Sequence, residues 1–326
     1  SIFIFVREQS DLWIYTLINA LMLVLGNGFM WLYLPKAVDK TKITFKDMNI
    51  HLIPTLQMFI PQIAIQVYAV LDKTMLGILA TKGDVGIYEQ SQKIVKIVGG
   101  LVTSLGVVML PRMSNTFANG DKKKMNEYLN KSLIFVSYMS IPMFIGLAAI
   151  SNEFVPWFFG EDFLQVRYIM MILTPILFFI AINNVLGVQY LLPTNRTKEY
   201  TIAVSTGAIT NVVFNFLLIP KYKVIGACIA TLLAELIVPV VELIILRKNI
   251  NIKYIFKNIY KYFFAGAIMF IIVRFIGKFM GVSILTTMIQ AFSGGCIYLA
   301  TLLIFKDEFT KVIIGNIFST IKIARE

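Results

Sequence analysis

The stretch VGIYEQSQKIVKIVGGLVTSLGVVML, residues 85–110, sets the reading of the whole chain. A bilayer's hydrocarbon core, about 30 Å thick, takes about 20 helical residues to cross, and this run is long enough. In lipid the backbone must satisfy its own polar groups, so an isolated apolar run of this length is a helix. Eight further runs of similar character surround it, at residues 12–35, 50–71, 132–159, 166–192, 200–219, 225–246, 262–280 and 284–305. The chain therefore reads as an all-α, polytopic transmembrane helix bundle of about nine spans. Its apolar fraction is 58% and its mean hydropathy +0.77, with 15% of residues charged. A single soluble core of 326 residues has no room for so many apolar runs.

The net charge of +12 is distributed by loop, which points to topology rather than to nucleic acid. Cytoplasmic loops of membrane proteins collect Lys and Arg. One alternating set of loops holds 20 of the 30 basic residues, among them Lys36, Lys40, Lys42, Lys46, Arg112, Lys122–Lys124, Arg196, Lys198, Arg247, Lys248 and Lys306. The opposite loops and the N-terminal stub hold 8, and Lys93 and Lys96 lie inside a run. The C-terminus is thus expected in the cytoplasm and, with nine spans, the N-terminus outside. The basic loops are expected to meet anionic lipid headgroups. The chain opens at Ser1 with the apolar stub at residues 3–6 and no basic export signal. An odd span count with an external N-terminus then reads as truncation, with helices lost before Ser1.

Polar side chains inside spans are costly and face a bundle interior or a water-filled cavity. On the 50–71 run, Gln57, Tyr68 and Asp72 fall within about 60° of one another at helical spacing, and Gln62 and Gln66 share another face. Gln57, Tyr68 and Asp72 read either as hydrogen-bonding partners of other helices or as residues facing a substrate cavity. Pro54 and Pro61 each delete a backbone donor and are expected to bend this helix. On the 85–110 run, Glu89, Gln92, Lys93, Lys96, Gly100 and Thr103 form one stripe. Counting from Val85, Lys93 and Lys96 lie roughly 12 and 16 Å deep at 1.5 Å per residue, too deep for easy snorkelling. Glu89 and Lys93 stand in the favoured i,i+4 order, and two lysines against one glutamate leave surplus positive charge. An ion pair serving only structure is one reading of this stripe; a hydrated cavity for an anionic substrate fits the surplus charge better. On the 225–246 run, Glu235 is a mid-span carboxyl among Leu232, Leu233 and Ile237, a candidate for binding a coupling proton or cation or for a hydrogen bond to a neighbouring helix. Glu242, on the same face, is expected to reach water at the cytoplasmic end. Asn183, Asn184, Asn211 and Asn215 read as packing residues that bond between helices. Cys228 and Cys296 read as small core residues, and with His51 the only histidine no metal site or disulfide is expected.

Three segments, residues 111–131, 247–261 and 306–326, mix Lys with Ile, Phe or Met and read as amphipathic surface helices. No Walker sequence, GxSxG or Gly-rich phosphate loop is present, so no enzymatic activity, catalytic residue or cofactor is expected.

A series of short motifs then falls into a familiar order. It runs Leu71-Asp72-Lys73-Thr74-Met75-Leu76-Gly77, Gly86-Ile87-Tyr88-Glu89-Gln90, Lys93-Ile94 and Val108-Met109-Leu110-Pro111-Arg112-Met113-Ser114. It continues with Asn211-Val212-Val213-Phe214-Asn215-Phe216-Leu217-Leu218-Ile219-Pro220, Gly226-Ala227 and Ala230-Thr231. This order resembles the Wzx-type polysaccharide (oligosaccharide-lipid) flippases of the multidrug/oligosaccharidyl-lipid/polysaccharide exporter superfamily, across about residues 40–250. The resemblance implies a fold of two six-helix lobes that rock against each other in alternating access. On that template residues 1–41 hold the last helix of a truncated N-terminal lobe and a cytoplasmic linker. Residues 42–247 are the C-terminal lobe, and 248–326 are two additional helices and a cytoplasmic tail. The resemblance further implies movement of undecaprenyl-diphosphate-linked oligosaccharide from the cytoplasmic to the outer leaflet of the bacterial cell membrane. Glycan polymerases and glycosyltransferases are the implied protein partners. Lys93 and Lys96 would meet the diphosphate or acidic sugars. The rivals are a lipid II flippase, a cation-coupled drug exporter of the same superfamily, and a non-transporting scaffold of a glycan assembly complex. A drug exporter of this kind should prefer acidic cavity residues, against which the lysine stripe speaks.

The loop asymmetry makes a direct prediction. Cysteines placed at Asp121 and Asn195 should be shielded from an impermeant thiol reagent added outside intact cells, and one at Glu161 should be labelled. The reverse pattern would invert the topology.

Overall fold

The computed structural model describes residues 11–38, 44–248 and 259–313, with Phe5, Glu8, Ile250 and Gly315. Lys40, Lys42, most of the stub at 3–6, residues 251–258 of the 247–261 segment and the tail beyond Gly315 lie outside the described residues. So do the side chains of Pro54 and Gln57. All described regular elements are helical, and the chain divides into two compact units, residues 1–55 and 56–326.

In the first unit α1, Leu12–Ala37, is exposed along its whole apolar length, with Trp13, Leu23, Met30 and Trp31 all on the outside. Such a helix is at home only in hydrocarbon. Helix α2, Phe45–Leu79, opens in this unit and runs on into the second.

The second unit continues with α3, Lys82–Ala118, and α4, Lys122–Phe159. Next come α5, Val166–Leu173, and α6, Ile176–Asn183, followed by a π-helical stretch, Asn184–Leu191. The chain then builds α7, Thr197–Leu246, α8, Ile259–Met280, and α9, Ile284–Ile304. Among the described residues eight helical segments are long and apolar enough to cross a membrane. The nine expected runs are nevertheless all present, because α7 holds two of them. Its backbone breaks at Lys223, with φ 49° and ψ −124°, close after Pro220, which supplies no backbone donor. A Cβ on Gly226 would collide with the Leu218 carbonyl group, and one on Gly207 would lie 2.5 Å from Val238 Cγ2 and 3.2 Å from the Ala234 carbonyl oxygen. The two arms of α7 therefore fold back on each other as a tight helical hairpin.

The 166–192 run is segmented rather than one straight helix. Pro175 separates α5 from α6, and in the π-helix the Leu192 N–H donates five residues back to Gly187 O at 3.1 Å. The surface helix expected at 111–131 is not a separate element. Helix α3 continues to Ala118 and α4 starts at Lys122. At 37 and 38 residues these helices are about 55 Å long and outreach the bilayer core, so their polar ends simply project from it.

Two clusters form the core. Leu76, Tyr88, Val95, Leu173, Leu177 and Ile219 pack one end, and Leu133, Ile141, Leu186, Tyr262 and Met269 the other. The α8–α9 hairpin is fastened to α4 by Tyr138, whose ring meets Tyr262, Tyr298 and Phe309 edge-on at 5.6, 5.8 and 5.2 Å. Tyr298 Oη donates to the Tyr138 carbonyl at 3.0 Å, and Trp157 Nε1 donates to Thr287 Oγ1 at 2.8 Å. Cys228 is buried as expected, whereas Cys296 is exposed on α9.

The corner of α7 is a stability test. Gly226→Ala should cost about 1–3 kcal/mol, since the obstacle is backbone that cannot swing away. Gly100→Ala, where nothing lies within 4 Å, should be close to neutral. Equilibrium unfolding in mixed micelles measures both.

Candidate functional site

The turn between α2 and α3 determines what the stripe residues meet. Thr81 caps α3 by a reciprocal bond: its hydroxyl accepts from Asp84 N–H at 3.2 Å, and Asp84 Oδ2 accepts from Thr81 N–H at 3.1 Å. This tight reversal sets α2 antiparallel to α3, with Asp72 opposite Tyr88 and Lys73 opposite Glu89. Glu89 lies between two lysines, 3.3 Å from Lys73 and 3.6 Å from Lys93. The triad is on the open side of the unit, with side-chain exposures of 36% for Lys73, 37% for Glu89 and 48% for Lys93. Lys96, one turn further along α3, is also exposed and has no carboxylate within ion-pair distance among the described residues. Its nearest charges include Lys73, Glu235, Asp72 and Glu89. The open face thus carries three lysines against one paired glutamate.

Behind this face is a buried polar knot. Asp72, fully buried, accepts from Tyr88 Oη at 2.7 Å, Thr231 Oγ1 at 3.0 Å and Asn215 Nδ2 at 2.6 Å. Gln92 Nε2 donates to Tyr88 Oη at 2.9 Å, and Asn215 Nδ2 also reaches Asn211 Oδ1 at 3.0 Å. A separate bond runs from Tyr68 Oη to Glu235 Oε1 at 3.1 Å. The knot joins α2, α3 and both arms of α7 through one carboxyl group.

Asp72 receives hydrogen bonds only from hydroxyl and amide groups. Asn215 Oδ1 and Asn211 Nδ2, both buried, have no hydrogen-bond partner among the described residues. Among the described residues no group of three or more His, Cys, Asp or Glu side chains is arranged to hold a metal ion.

Comparison with known proteins places this geometry. The family model described as "Lipid II flippase MurJ" matches residues 13–299. The chain belongs to the MurJ family. It is 22% identical over 192 residues to a probable low-salt glycan biosynthesis flippase, Agl15, of Haloferax volcanii, a match covering 59% of the chain and 40% of that protein. It is 25% identical over 257 residues to a putative O-antigen transporter of Escherichia coli, covering 76% of the chain and 60% of the relative. A solved MurJ structure titled as the inward closed conformation superposes with a TM-score of 0.71 at 22% identity, over 88% of this chain and 61% of the other. The chain therefore spans between 40% and about 60% of the length of these relatives. The resemblance to the exporter superfamily stands, and the family model matched carries the name that the sequence reading held as its first rival.

In this MurJ-family chain the candidate residues sort into separate layers. Glu89 and Lys93 pair on the open face with Lys73, and Lys96 stands near them. Gln92 and Asp72 are turned inward into the knot, and Tyr68 pairs with Glu235. Gln57 has no described side chain. Tyr88, the hub between Asp72 and Gln92, was not singled out from the sequence, although its i,i+4 spacing to Gln92 and the short Thr81 turn both signal it. Glu242 corrects an expectation. It is fully buried and both its carboxyl oxygens are unpartnered, so it does not reach water. It packs on Gly187, where a Cβ would lie 2.5 Å from Glu242 Oε1 and from the Tyr200 ring, so the missing side chain at Gly187 makes its space.

Asp72 supports a prediction. Asp72→Leu removes the acceptor shared by Tyr88, Thr231 and Asn215, leaving Thr231 its bond to the Ala227 carbonyl at 2.9 Å and Asn215 its bond to Asn211 at 3.0 Å, and should lower unfolding stability by about 1–3 kcal/mol. Asp72→Asn keeps one carbonyl oxygen for Tyr88 and Thr231 and can bond Asn215 once that amide turns its oxygen toward the new NH2 group, so it should retain most of that stability. Equal losses in micelle unfolding would mean that charge, not hydrogen bonding, holds the knot.

Proposed function

We propose that this MurJ-family chain acts in a flippase that carries undecaprenyl-diphosphate-linked oligosaccharide units from the cytoplasmic to the outer leaflet for polysaccharide biosynthesis. The observation behind this reading is the lysine-rich open face formed by Lys93 and Lys96 of α3, inside an apolar run, with Lys73 of α2. Ammonium groups there cost less when they meet a polyanion in a hydrated cavity than when they face hydrocarbon. The names of the O-antigen and glycan flippase relatives support the same substrate class. Lipid II is the second reading, favoured by the family model; it shares the lipid-linked diphosphate and differs in its sugars.

On this reading residues 42–247 act as one six-helix lobe, with 248–326 supplying two additional helices and a cytoplasmic tail. Glu89 positions Lys73 and Lys93. Tyr68 belongs to the cavity side, Gln92 supports that face from the knot through Tyr88, and no covalent bond is made or broken. Coupling to an ion runs through Glu235. The protein is multi-pass in the bacterial cytoplasmic membrane with its C-terminus inside, and it works beside glycan polymerase and glycosyltransferases.

The test is Lys93→Gln with Lys96→Gln in the intact gene. Delivery of lipid-linked oligosaccharide should fall by about tenfold or more, the scale of losing charge-assisted contacts, while membrane insertion persists. Arginine at both positions should retain part of the activity, since it keeps the charge with another geometry. Complementation of a flippase-null strain at the wild-type rate by the glutamine variant would sink the anion-cavity reading.

A further inference from the structure

At the tip of the α8–α9 hairpin, Asn152 and Glu153 of α4 and Arg274, Phe275 and Lys278 of α8 line a recess of about 460 Å³. Neither cation has a carboxylate within 4 Å among the described residues. With the Asn152 amide oriented so that its oxygen faces the guanidinium, that oxygen accepts from Arg274 Nη2 at 2.8 Å and Nη1 at 2.9 Å, and the Ala149 carbonyl accepts at 3.5 Å. These acceptors are neutral. They fix the direction of the guanidinium without cancelling its charge. The one acid nearby, Glu153, is directed elsewhere: it is 8% exposed, its Oε2 accepts from Gln290 Nε2 at 3.1 Å, and its carboxyl packs where Gly277 has no side chain.

The depth of the recess is informative. Arg274 lies six residues and Lys278 two residues before the helix end at Met280, about 9 and 3 Å along the axis. That is the zone where lipid phosphates meet the hydrocarbon. Ile271, Phe275 and Phe279 on the same stretch are 67%, 61% and 74% exposed, an apolar surface suited to acyl chains. Gln290 Nε2 of α9 bonds Glu153 Oε2 of α4 at 3.1 Å and the Val273 carbonyl of α8 at 3.0 Å, so the two walls of the recess are held together.

We propose that this recess binds the phosphate headgroup of an anionic lipid, with Arg274 and Lys278 holding the phosphate oxygens and Ile271, Phe275 and Phe279 lying along the chains. Arg suits a planar, two-pronged contact to phosphate, and Lys adds a point charge. The site is independent of the flippase reading, because it needs neither the α3 lysines nor a transport cycle.

The test uses the full chain in phosphatidylcholine vesicles doped with a photoactivatable phosphatidylglycerol, with cross-links mapped by mass spectrometry. Cross-linking to residues 271–279 should exceed that of a photoactivatable phosphatidylcholine. It should fall about tenfold in the Arg274→Gln, Lys278→Gln double variant, the scale of losing a charge-assisted contact, while cross-links elsewhere in the chain persist. Lys278→Gln alone, at an exposed position, should fold normally and show a several-fold loss, which keeps the test valid if the Arg274 variant is unstable. Unchanged cross-linking in these variants would overturn the proposal. Complete competition by millimolar inorganic phosphate would also overturn the lipid assignment, in favour of a free phosphate site.

Discussion

One buried carboxyl group organises the second unit. Asp72 takes a hydroxyl from α3, a hydroxyl from one arm of α7 and an amide from the other. In a membrane the hydrophobic effect does little to choose among helix pairings, because lipid is as apolar as the helix faces. Hydrogen bonds to a buried acid do choose, since each donor left unmatched in hydrocarbon is costly. The register of α2 on α3, the fold of α7 on itself and the placement of both against α2 all follow from satisfying that group.

The knot also explains the layering of charge on α3. Residues on the inner side, Tyr88 and Gln92, are engaged with Asp72, and the basic residues are left to the outer side with Glu89. A single helix thereby presents a hydrogen-bonded packing face and a cationic face. Among the described residues no cation stands within 4 Å of Asp72, whose donors are Tyr88, Thr231 and Asn215. The positive surface is consequently available to an external anion, and the inner acid keeps its own electrostatic demand.

Much of this was legible in the sequence. Apolar length alone located the spans, because roughly twenty residues is a hard requirement of the bilayer. Spacing alone put Glu89, Lys93 and Lys96 on one stripe. Asp72 and Gln92 were singled out too, but their partners were not: helical angles say which residues share a face, not which neighbour that face meets. Residues 111–131 misled because a polar, amphipathic segment beside a span can lie on the membrane or continue straight out of it, and composition does not distinguish the two. Glu242 was illegible for a different reason. Its burial depends on the π-helical backbone at Gly187 and on the Tyr200 ring, which are brought together only by the tertiary fold.

The corner of α7 has a consequence for chain length. It sits between two spans, the kind of place where insertions and deletions normally collect without harm. Here Asn215 and Thr231 flank the corner and bond the same carboxyl group. One residue added or removed between them would turn one arm by about 100° relative to the other and withdraw one of those partners. The corner therefore behaves like a fixed-length spacer.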